Sequence, residues 1–332
     1  MAPQIRAFSG TGQKRAFGHI AVGLTMLVWG STFAASKHLI EQGISPLEVL
    51  IARFALAWLL MQLIPCAKLG FTTWHDEKYF IMAGLGGVTV YFLFENTAVS
   101  FTYASNVGLI TGINPLTIAA LFWVVFKERP SKWFFIGGAI AVFGVASVAA
   151  NGAGIQMNLV GDLLVICACL SWSVYTVAIR KIRALPRPMD DIAVTRRIFF
   201  WGVLGSCLLI PFSGTAEFLS VGTPLQTWLQ PGVIGPLLYL SVFASCLCYV
   251  AMNFSMRVIG EVSASAYIFT LPAISLLSAH ILLGEPITVS AVVGMAAITV
   301  GLLISEEFWR FRQKKGEADA SFAIMEDEER RE

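Results

Sequence analysis

Four polar side chains lie inside apolar runs of about 20 residues, where aliphatic side chains are the rule. They are the carboxylate Glu95 and the amides Asn96, Asn114 and Asn253. Because such groups need a polar partner in hydrocarbon, each predicts either a hydrated cavity or hydrogen bonding between helices. Glu95 is expected to bind a proton for coupling or an amino group of a substrate; the alternative is a place at the outer membrane interface.

Two prolines occupy the middle of matching apolar runs, Pro115 directly after Asn114 and Pro272 in the second half of the chain. A proline inside a helix removes one backbone hydrogen bond and frees a carbonyl, which in a membrane must be satisfied by protein or by cavity water. Both prolines are therefore expected to act as hinges or ligand contacts, with a static kink as the alternative.

Aromatic and hydroxyl side chains accompany these groups. Trp29 and Trp172 stand in the middle of their runs, away from the interfaces where membrane tryptophans concentrate. Together with Ser31, Tyr175 and Tyr267 they predict the wall of a substrate cavity. Such a wall suits apolar or aromatic solutes through stacking and cation–π contacts, whereas the alternative is packing in the core or against lipid.

Four further charged residues lie near the ends of the runs. Arg53 is about seven residues inside its run and Arg196 about three, and we expect both to reach the interface rather than to pair with Glu95 or a substrate carboxylate. Glu128 and Glu285 stand at junctions between runs. They are expected to cap the helix that follows each of them, with gate contacts as the alternative.

The whole chain must supply the elements that position these groups, and it is unusually apolar. Of 332 residues, 56% are hydrophobic and 13% are charged, against about 25% charged in soluble domains. This composition excludes a soluble enzyme and a nucleic-acid-binding protein. It predicts an all-α membrane protein with ten transmembrane helices. The ten apolar runs cover residues 17–36, 46–65, 79–99, 104–126, 132–149, 160–180, 193–212, 232–255, 262–283 and 287–308.

Basic residues outside the runs indicate the orientation. Lys and Arg concentrate in the two terminal tails and the even-numbered loops, while the odd-numbered loops together hold only Lys37. By the positive-inside rule, both termini are cytoplasmic. The expected location is the cell membrane, either a bacterial inner membrane or a plasma membrane.

The two halves of the chain resemble each other at two fixed offsets. Because each half holds five runs, the second half must enter the membrane from the opposite side, which predicts two inverted-topology five-helix repeats. The predicted divisions are a cytoplasmic tail at 1–16, repeats at 17–150 and 151–308, and a cytoplasmic tail at 309–332. Matched pairs are Trp29/Trp172, Lys37/Arg180 and Arg53/Arg196 at an offset of 143, and Asn96/Asn253, Pro115/Pro272 and Glu128/Glu285 at an offset of 157.

Particular motifs resemble a known family. Residues 98–132 contain a small-residue turn, a helix broken by Pro115 and an exit at Glu128-Arg129-Pro130, and residues 255–295 repeat this pattern with Glu285-Pro286. This pattern is similar to that of EamA-type transporters in the drug/metabolite transporter superfamily. The resemblance implies ten helices, a central cavity lined by both repeats, and export of amino acids or other small metabolites. Glu95 departs from the general family pattern, and its match in the second half is Met252.

Several functional motifs are missing from the sequence. There is no G-x-x-x-x-G-K-[ST] motif for ATP, no cofactor motif, and no spacing typical of a metal or hydrolytic site. The chain is therefore predicted to be no enzyme but a secondary transporter of a small molecule, in contact with membrane lipid and with proton coupling through Glu95 as an option.

The expected mechanism is alternating access around a central site lined by the first, third, fourth, sixth, eighth and ninth helices. Amino acids are the first substrate class, and export is the expected direction. The alternatives are an uncoupled facilitator or channel, or an exporter of nucleosides, cofactors or toxic cations. Gly108 and Gly112 form a GxxxG pair that lets another helix approach closely. That helix belongs either to the same chain or to a second copy in an oligomer.

Overall fold

A computed structural model describes residues 11–65, 73–129, 132–150, 158–186, 189–301 and 303–304. Within these residues the chain forms helices and connecting loops without any β-strand, so the all-helical prediction is confirmed for this part. The helices are α1 (Thr11–Glu41), α2 (Pro46–Gln62), α3 (Trp74–Phe101), α4 (Ala104–Phe126), α5 (Lys132–Ala150), α6 (Leu159–Arg183), α7 (Asp191–Cys207), α8 (Pro231–Ile259), α9 (Glu261–Leu283) and α10 (Val289–Gly301).

Seven of the described helices are long and apolar enough to cross a membrane by length and composition. Three apolar stretches are shorter, namely Pro46–Gln62, Phe135–Gly144 and Val289–Gly301. The count of ten spans therefore stays a prediction. Helix α1 begins at Thr11, inside the segment predicted as a tail, while the whole predicted C-terminal tail, 309–332, lies outside the described residues.

Local sequence explains where the helices that carry the site begin. Ser45 and Glu48 form a capping box at the start of α2, and Pro46 takes the first helical position, where its missing N–H costs nothing. Asn158 caps α6, and its side-chain oxygen accepts hydrogen bonds from the backbone N–H groups of Val160 and Gly161.

Four helices are interrupted at positions that correspond between the repeats. Helix α3 contains a π-helical segment at Leu85–Val90, and α8 contains one at Tyr239–Leu247. Helix α4 breaks after Thr111 and α9 is 3₁₀-helical over Tyr267–Thr270. The two predicted prolines thus each stand in the first turn of a new helical segment rather than within a continuous kinked helix.

The packing follows the same correspondence. Helix α1 packs against α8 and α9, while its counterpart α6 packs against α3 and α4. The matched tryptophans Trp29 and Trp172 contact each other edge to face, with ring centroids 5.3 Å apart. The breaks in α4 and α9 also meet, since a Cβ on Gly112 would lie 2.7 Å from Cγ of Pro272. The interrupted helices therefore face the interior between the two halves.

Helices α3 and α7 approach each other closely through two glycines. A Cβ on Gly84 would lie 2.7 Å from the carbonyl oxygen of Ile198, and one on Gly202 would lie 2.5 Å from Cβ of Val88. Such distances leave no room for a methyl group. Small residues of this kind allow two membrane helices to pack backbone to backbone.

This close approach predicts that Gly84→Ala destabilises the protein by about 1–3 kcal/mol, because the added methyl forces the two backbones apart. Thermal unfolding of the purified protein in detergent would report this as a lower apparent Tm. Gly23→Ala is the matched control, since a Cβ at Gly23 meets nothing within 4 Å. An equal fall in Tm for both variants would contradict the assignment of the α3–α7 contact.

Candidate functional site

A cavity lies between the two halves at the level of the broken helices. Side chains of α1, α2, α3, α4, α6 and α9 line its empty space, which measures about 360 Å³ when the part open to the surroundings is included. The sequence predicted that α8 would line this site and did not predict α2. In the structure α2 contributes Arg53, and no lining residue belongs to α8. The lining residues are Trp29, Thr32, Phe33, Arg53, Tyr91, Phe92, Glu95, Thr111, Asn114, Trp172, Ile268 and Leu271.

Aromatic rings form one side of this cavity. The Trp172 ring lies 5.3 Å from both Trp29 and Tyr91, measured between centroids. Behind them, Tyr249 is fully buried and contacts the rings of both tryptophans. The faces of these rings can accept an apolar group or a cation.

Arg53 is a charged member of the lining, and it is only 1% exposed. Its Nε donates a hydrogen bond to Oγ of Ser245 at 2.7 Å, and its guanidinium lies 4.3 Å from the centre of the Phe92 ring. The expectation that Arg53 reaches the interface is therefore wrong. Helix α2 begins at Pro46, and two turns later Arg53 faces the aromatic interior.

Glu95 faces the same space and is 3% exposed. Its carboxylate interacts with the hydroxyl of Tyr91, one helical turn earlier, and with the positive charge of Arg53. Glu95 thus lies in the interior of the protein, not at the outer interface that was the alternative. One buried carboxylate and one buried guanidinium line a single cavity.

Three polar atoms of the lining have no hydrogen-bonding partner among the described residues. They are Oε1 of Glu95, Nη1 of Arg53 and Nε1 of Trp172. Each belongs to a side chain that is at most 3% exposed. Buried polar groups are nearly always paired, so an unpaired set on one cavity marks a place where a ligand can bind.

The predicted site residues divide into two groups in the structure. Trp29, Glu95, Asn114 and Trp172 line the cavity. The other seven do not, and they are Ser31, Asn96, Pro115, Tyr175, Asn253, Tyr267 and Pro272. Residue type and depth in a run cannot specify which face of a helix a residue occupies, and this is the reason for the division.

Several of the seven hold helices together instead. Asn253 accepts a hydrogen bond from the Tyr175 hydroxyl at 2.8 Å and donates one to Thr195 at 2.9 Å. Asn96 donates to the carbonyl of Pro46 at 3.2 Å. These bonds match the interhelical role that was the alternative for the amides.

Hydroxyl groups behave in the same way. Ser31 and the Tyr239 hydroxyl are 2.6 Å apart, joining α1 to α8. The Tyr267 hydroxyl lies 2.9 Å from Nδ1 of His19.

Other lining residues were not predicted. Among them are Tyr91, Phe92 and Thr111, and the apolar or small-residue contexts of Phe92 and Thr111 give no signal in the sequence. Only Tyr91 could have been found, because it precedes Glu95 by four residues and so lies on the same helix face. Over the described residues, no group of three His, Cys, Asp or Glu side chains could hold a metal ion.

Two ion pairs connect the halves at opposite ends of α4. At its N-terminal end, Lys37 Nζ lies 3.0 Å from Oε1 of Glu285, and Glu285 also accepts hydrogen bonds from the backbone N–H groups of Ala104 and Ser105. Glu285 therefore caps α4 and not the helix that follows it, which corrects the expectation. Its carboxylate is well placed because a helix N-terminus favours negative charge.

At the other end of α4, Arg180 pairs with Glu128, and its guanidinium lies 4.3 Å from the Phe126 ring centre. Glu128 thus makes an inter-repeat contact, while its expected cap on the following helix stays a prediction, because residues 130–131, which precede that helix, lie outside the described residues. Arg180 and Lys37 are repeat-related, as are Glu128 and Glu285. A helix of the length of α4 spans about 35 Å at 1.5 Å per residue, so the two pairs are far apart with the cavity between them.

Comparison with known proteins identifies both halves. The model of the EamA-like transporter family matches residues 16–150 and again residues 159–305. A protein of Archaeoglobus fulgidus described as an uncharacterized transporter is 26% identical over 285 residues, covering 86% of this chain and 97% of that protein. An uncharacterized transporter of Clostridium kluyveri is 23% identical, with 87% and 92% covered.

The similarity extends to further relatives and to a solved structure. The uncharacterized transporter YvbV of Bacillus subtilis is 24% identical over 288 residues, which is 86% of this chain and 90% of YvbV. One solved structure superposes with a TM-score of 0.58 at 18% identity, covering 88% of this chain and 95% of the other. At this identity the superposition shows a common fold.

Proposed function

Because the chain belongs to the EamA-like transporter family, we propose that it is a secondary carrier that exports a small organic metabolite by alternating access. Family membership and the apolar helices make it a multi-pass integral membrane transporter. The family and the names of its relatives indicate a transporter and not an enzyme. The resemblance read from the motifs is thereby confirmed, whereas the mode of transport is the proposal.

The observation that supports this proposal is the pair of repeat-related ion pairs on either side of one cavity. Each pair joins the first half of the chain to the second, Lys37 to Glu285 at one end and Glu128 to Arg180 at the other. Breaking one pair while keeping the other would open the cavity to one side only. Inverted repeats provide two equivalent ends of this kind.

The two ends differ in burial in the described state. Lys37 and Glu285 are 16% and 5% exposed, whereas Arg180 and Glu128 are 34% and 31% exposed. In the predicted orientation, the more buried pair faces outward, so this state is closed more firmly toward the outside. A carrier waiting to load a cytoplasmic substrate has this arrangement.

Amino acids are the substrate class we propose first, because the Trp29–Trp172 wall offers ring faces to an apolar or aromatic side chain. An exporter of nucleosides, cofactors or toxic cations would use the same wall. An uncoupled facilitator or channel is the mechanistic alternative. Paired gates favour a carrier over a channel, since a channel needs no contact that closes behind the solute.

The protein reconstituted in liposomes is expected to show saturable counterflow of a labelled amino acid, because a carrier exchanges solute through one site. Uptake of labelled phenylalanine against preloaded unlabelled amino acids would measure this. Empty liposomes and liposomes preloaded with sucrose are the controls. Uptake that rises linearly with concentration, with no stimulation by preloading, would assign a facilitator instead.

The two ion pairs are expected to control access to the cavity from opposite sides. In a cysteine-free background that retains counterflow, Thr111→Cys places a thiol in the cavity wall. Adding Lys37→Ala should raise its labelling by an impermeant maleimide from the outside several-fold, while Arg180→Ala should raise labelling from the inside. Right-side-out and inverted vesicles separate the two directions.

Lys78→Ala is the matched control, since Lys78 is an exposed lysine near the start of α3 that belongs to neither pair. It should leave both labelling rates unchanged. If Lys37→Ala and Arg180→Ala raised labelling from the same side, the two ion pairs would not be opposing gates.

Proton coupling through Glu95 predicts that Glu95→Gln makes the rate of transport insensitive to pH, because an amide cannot exchange a proton. Arg53 and Tyr91 act on Glu95, and Cys169 and Tyr249 are near enough to feel its charge. Counterflow at several pH values, with and without a pH gradient, would measure the effect in both proteins. Full activity with an unchanged pH profile in Glu95→Gln would exclude a coupling role.

A further inference from the structure

The three unpaired atoms of the cavity wall differ in chemical kind. The guanidinium Nη1 of Arg53 is a cationic donor, Oε1 of Glu95 is an anionic acceptor, and Nε1 of Trp172 is a neutral donor. The two charges attract each other, but they form no direct ion pair in the described structure, and each keeps an unused hydrogen-bonding position. The wall therefore offers a positive and a negative binding position at the same time.

The indole of Trp172 is unpaired because the repeats differ at one position. In the first half, Trp29 donates its indole N–H to the carbonyl of Ala244, inside the π-helical segment of α8, at 2.9 Å. The matching carbonyl for Trp172 is that of Gly87, 157 residues earlier. That carbonyl instead accepts a hydrogen bond from the Tyr249 hydroxyl at 2.6 Å.

The residue that matches Tyr249 in the first half is Phe92, which has no hydroxyl to compete for Ala244. One added oxygen atom thus occupies the position that the Trp172 N–H would take by symmetry. Trp172 thus lines the cavity with its indole N–H unpaired.

The two charged groups also mark differences between the repeats. Arg196, the counterpart of Arg53, donates to the carbonyls of Met61 and Ile64 at 2.8 Å each, at the end of α2. The counterpart of Glu95 is Met252. The unpaired polar groups around the cavity therefore lie at positions where the two repeats differ. Of their counterparts in the other repeat, Arg196 and Trp29 bond backbone carbonyls, and Met252 carries no charge.

We infer that the cavity recognises dipolar solutes, with Arg53 and the Trp172 N–H binding a carboxylate and Glu95 binding a cationic amino group. The inference rests on the proposed function for the identity of the cavity as the transport site. It adds that the head group, in addition to the aromatic wall, selects the substrate. A solute carrying only one of the two charges leaves the opposite protein charge buried and unpaired, which weakens binding strongly.

Three probes that share a phenyl ring separate the contributions. Phenylalanine carries both charges, phenethylamine only the ammonium group, and 3-phenylpropionate only the carboxylate. Binding to the purified full-length protein, measured by quenching of tryptophan fluorescence and by calorimetry, should be at least tenfold tighter for phenylalanine than for either analogue. Counterflow of each labelled probe is measured in parallel on the same preparations.

Two variants should shift selectivity in opposite directions. Arg53→Gln should weaken binding of phenylalanine and of 3-phenylpropionate at least tenfold while binding phenethylamine more tightly than the unaltered protein does. Glu95→Gln should do the reverse, favouring 3-phenylpropionate. Arg53→Lys keeps the charge and should retain the preference for phenylalanine, so the test does not depend on the folding of one variant. A merely structural defect would weaken all three probes together.

Arg196→Gln is the matched control, because its arginine is repeat-related to Arg53 but bonds backbone carbonyls outside the cavity. It should leave the order of the three probes unchanged. The inference is overturned if the unaltered protein binds none of the probes, if it binds phenethylamine or 3-phenylpropionate as tightly as phenylalanine, or if Arg53→Gln and Glu95→Gln leave that order as it was. Charge-dependent binding without counterflow would instead overturn the proposed function and leave the dipolar site standing.

Discussion

The requirement that buried backbone groups find hydrogen-bonding partners governs the interior of this protein. Inside a bilayer no water is available to carbonyls that leave the regular helical pattern. The π-helical segments of α3 and α8 are such irregularities, and side chains from the neighbouring helices satisfy them. Ser171 donates to the carbonyl of Gly86, Tyr249 to that of Gly87, and Trp29 to that of Ala244. The irregular backbone is thus tolerated because it lies at the contact between the two halves, and this in turn places the cavity there.

Sequence reasoning succeeded where one residue type carries its own physical signal. Composition and the apolar runs predict a helical membrane protein, the prolines mark the breaks in α4 and α9, and the repeat offsets relate the two halves. Glu95 could be selected because a carboxylate is costly in an apolar run and therefore faces the protein interior or a cavity in most membrane helices. The apolar runs, the prolines and Glu95 can each be read from a single segment, and the repeat can be read by comparing the sequence with itself.

The rest depends on contacts between segments that are far apart in the chain. Whether Arg53 reaches the interface or the cavity is decided by Ser245 and by the rings of α3, none of which its own run specifies. The partners of Glu128 and Glu285 lie in the other half of the chain, and for Glu285 a local capping rule selects the wrong helix. The π-helical segments carry no sequence signal that we recognise, and they in turn set the direction in which Tyr91 and Glu95 face.

A duplicated scaffold makes the differences between the repeats informative. If the cavity were two-fold symmetric, every charge on one side would recur on the other, and the site would offer two arginines or two carboxylates to its ligand. A solute with unlike ends needs unlike partners, so symmetry has to be broken wherever it binds. Here the symmetry between the repeats is lost at the positions of the unpaired atoms, because Arg53, Glu95 and Trp172 differ in their bonding from their counterparts Arg196, Met252 and Trp29. The ion pairs at the two ends keep the symmetry that equivalent gates require, while the centre loses the symmetry that recognition of a dipolar solute excludes.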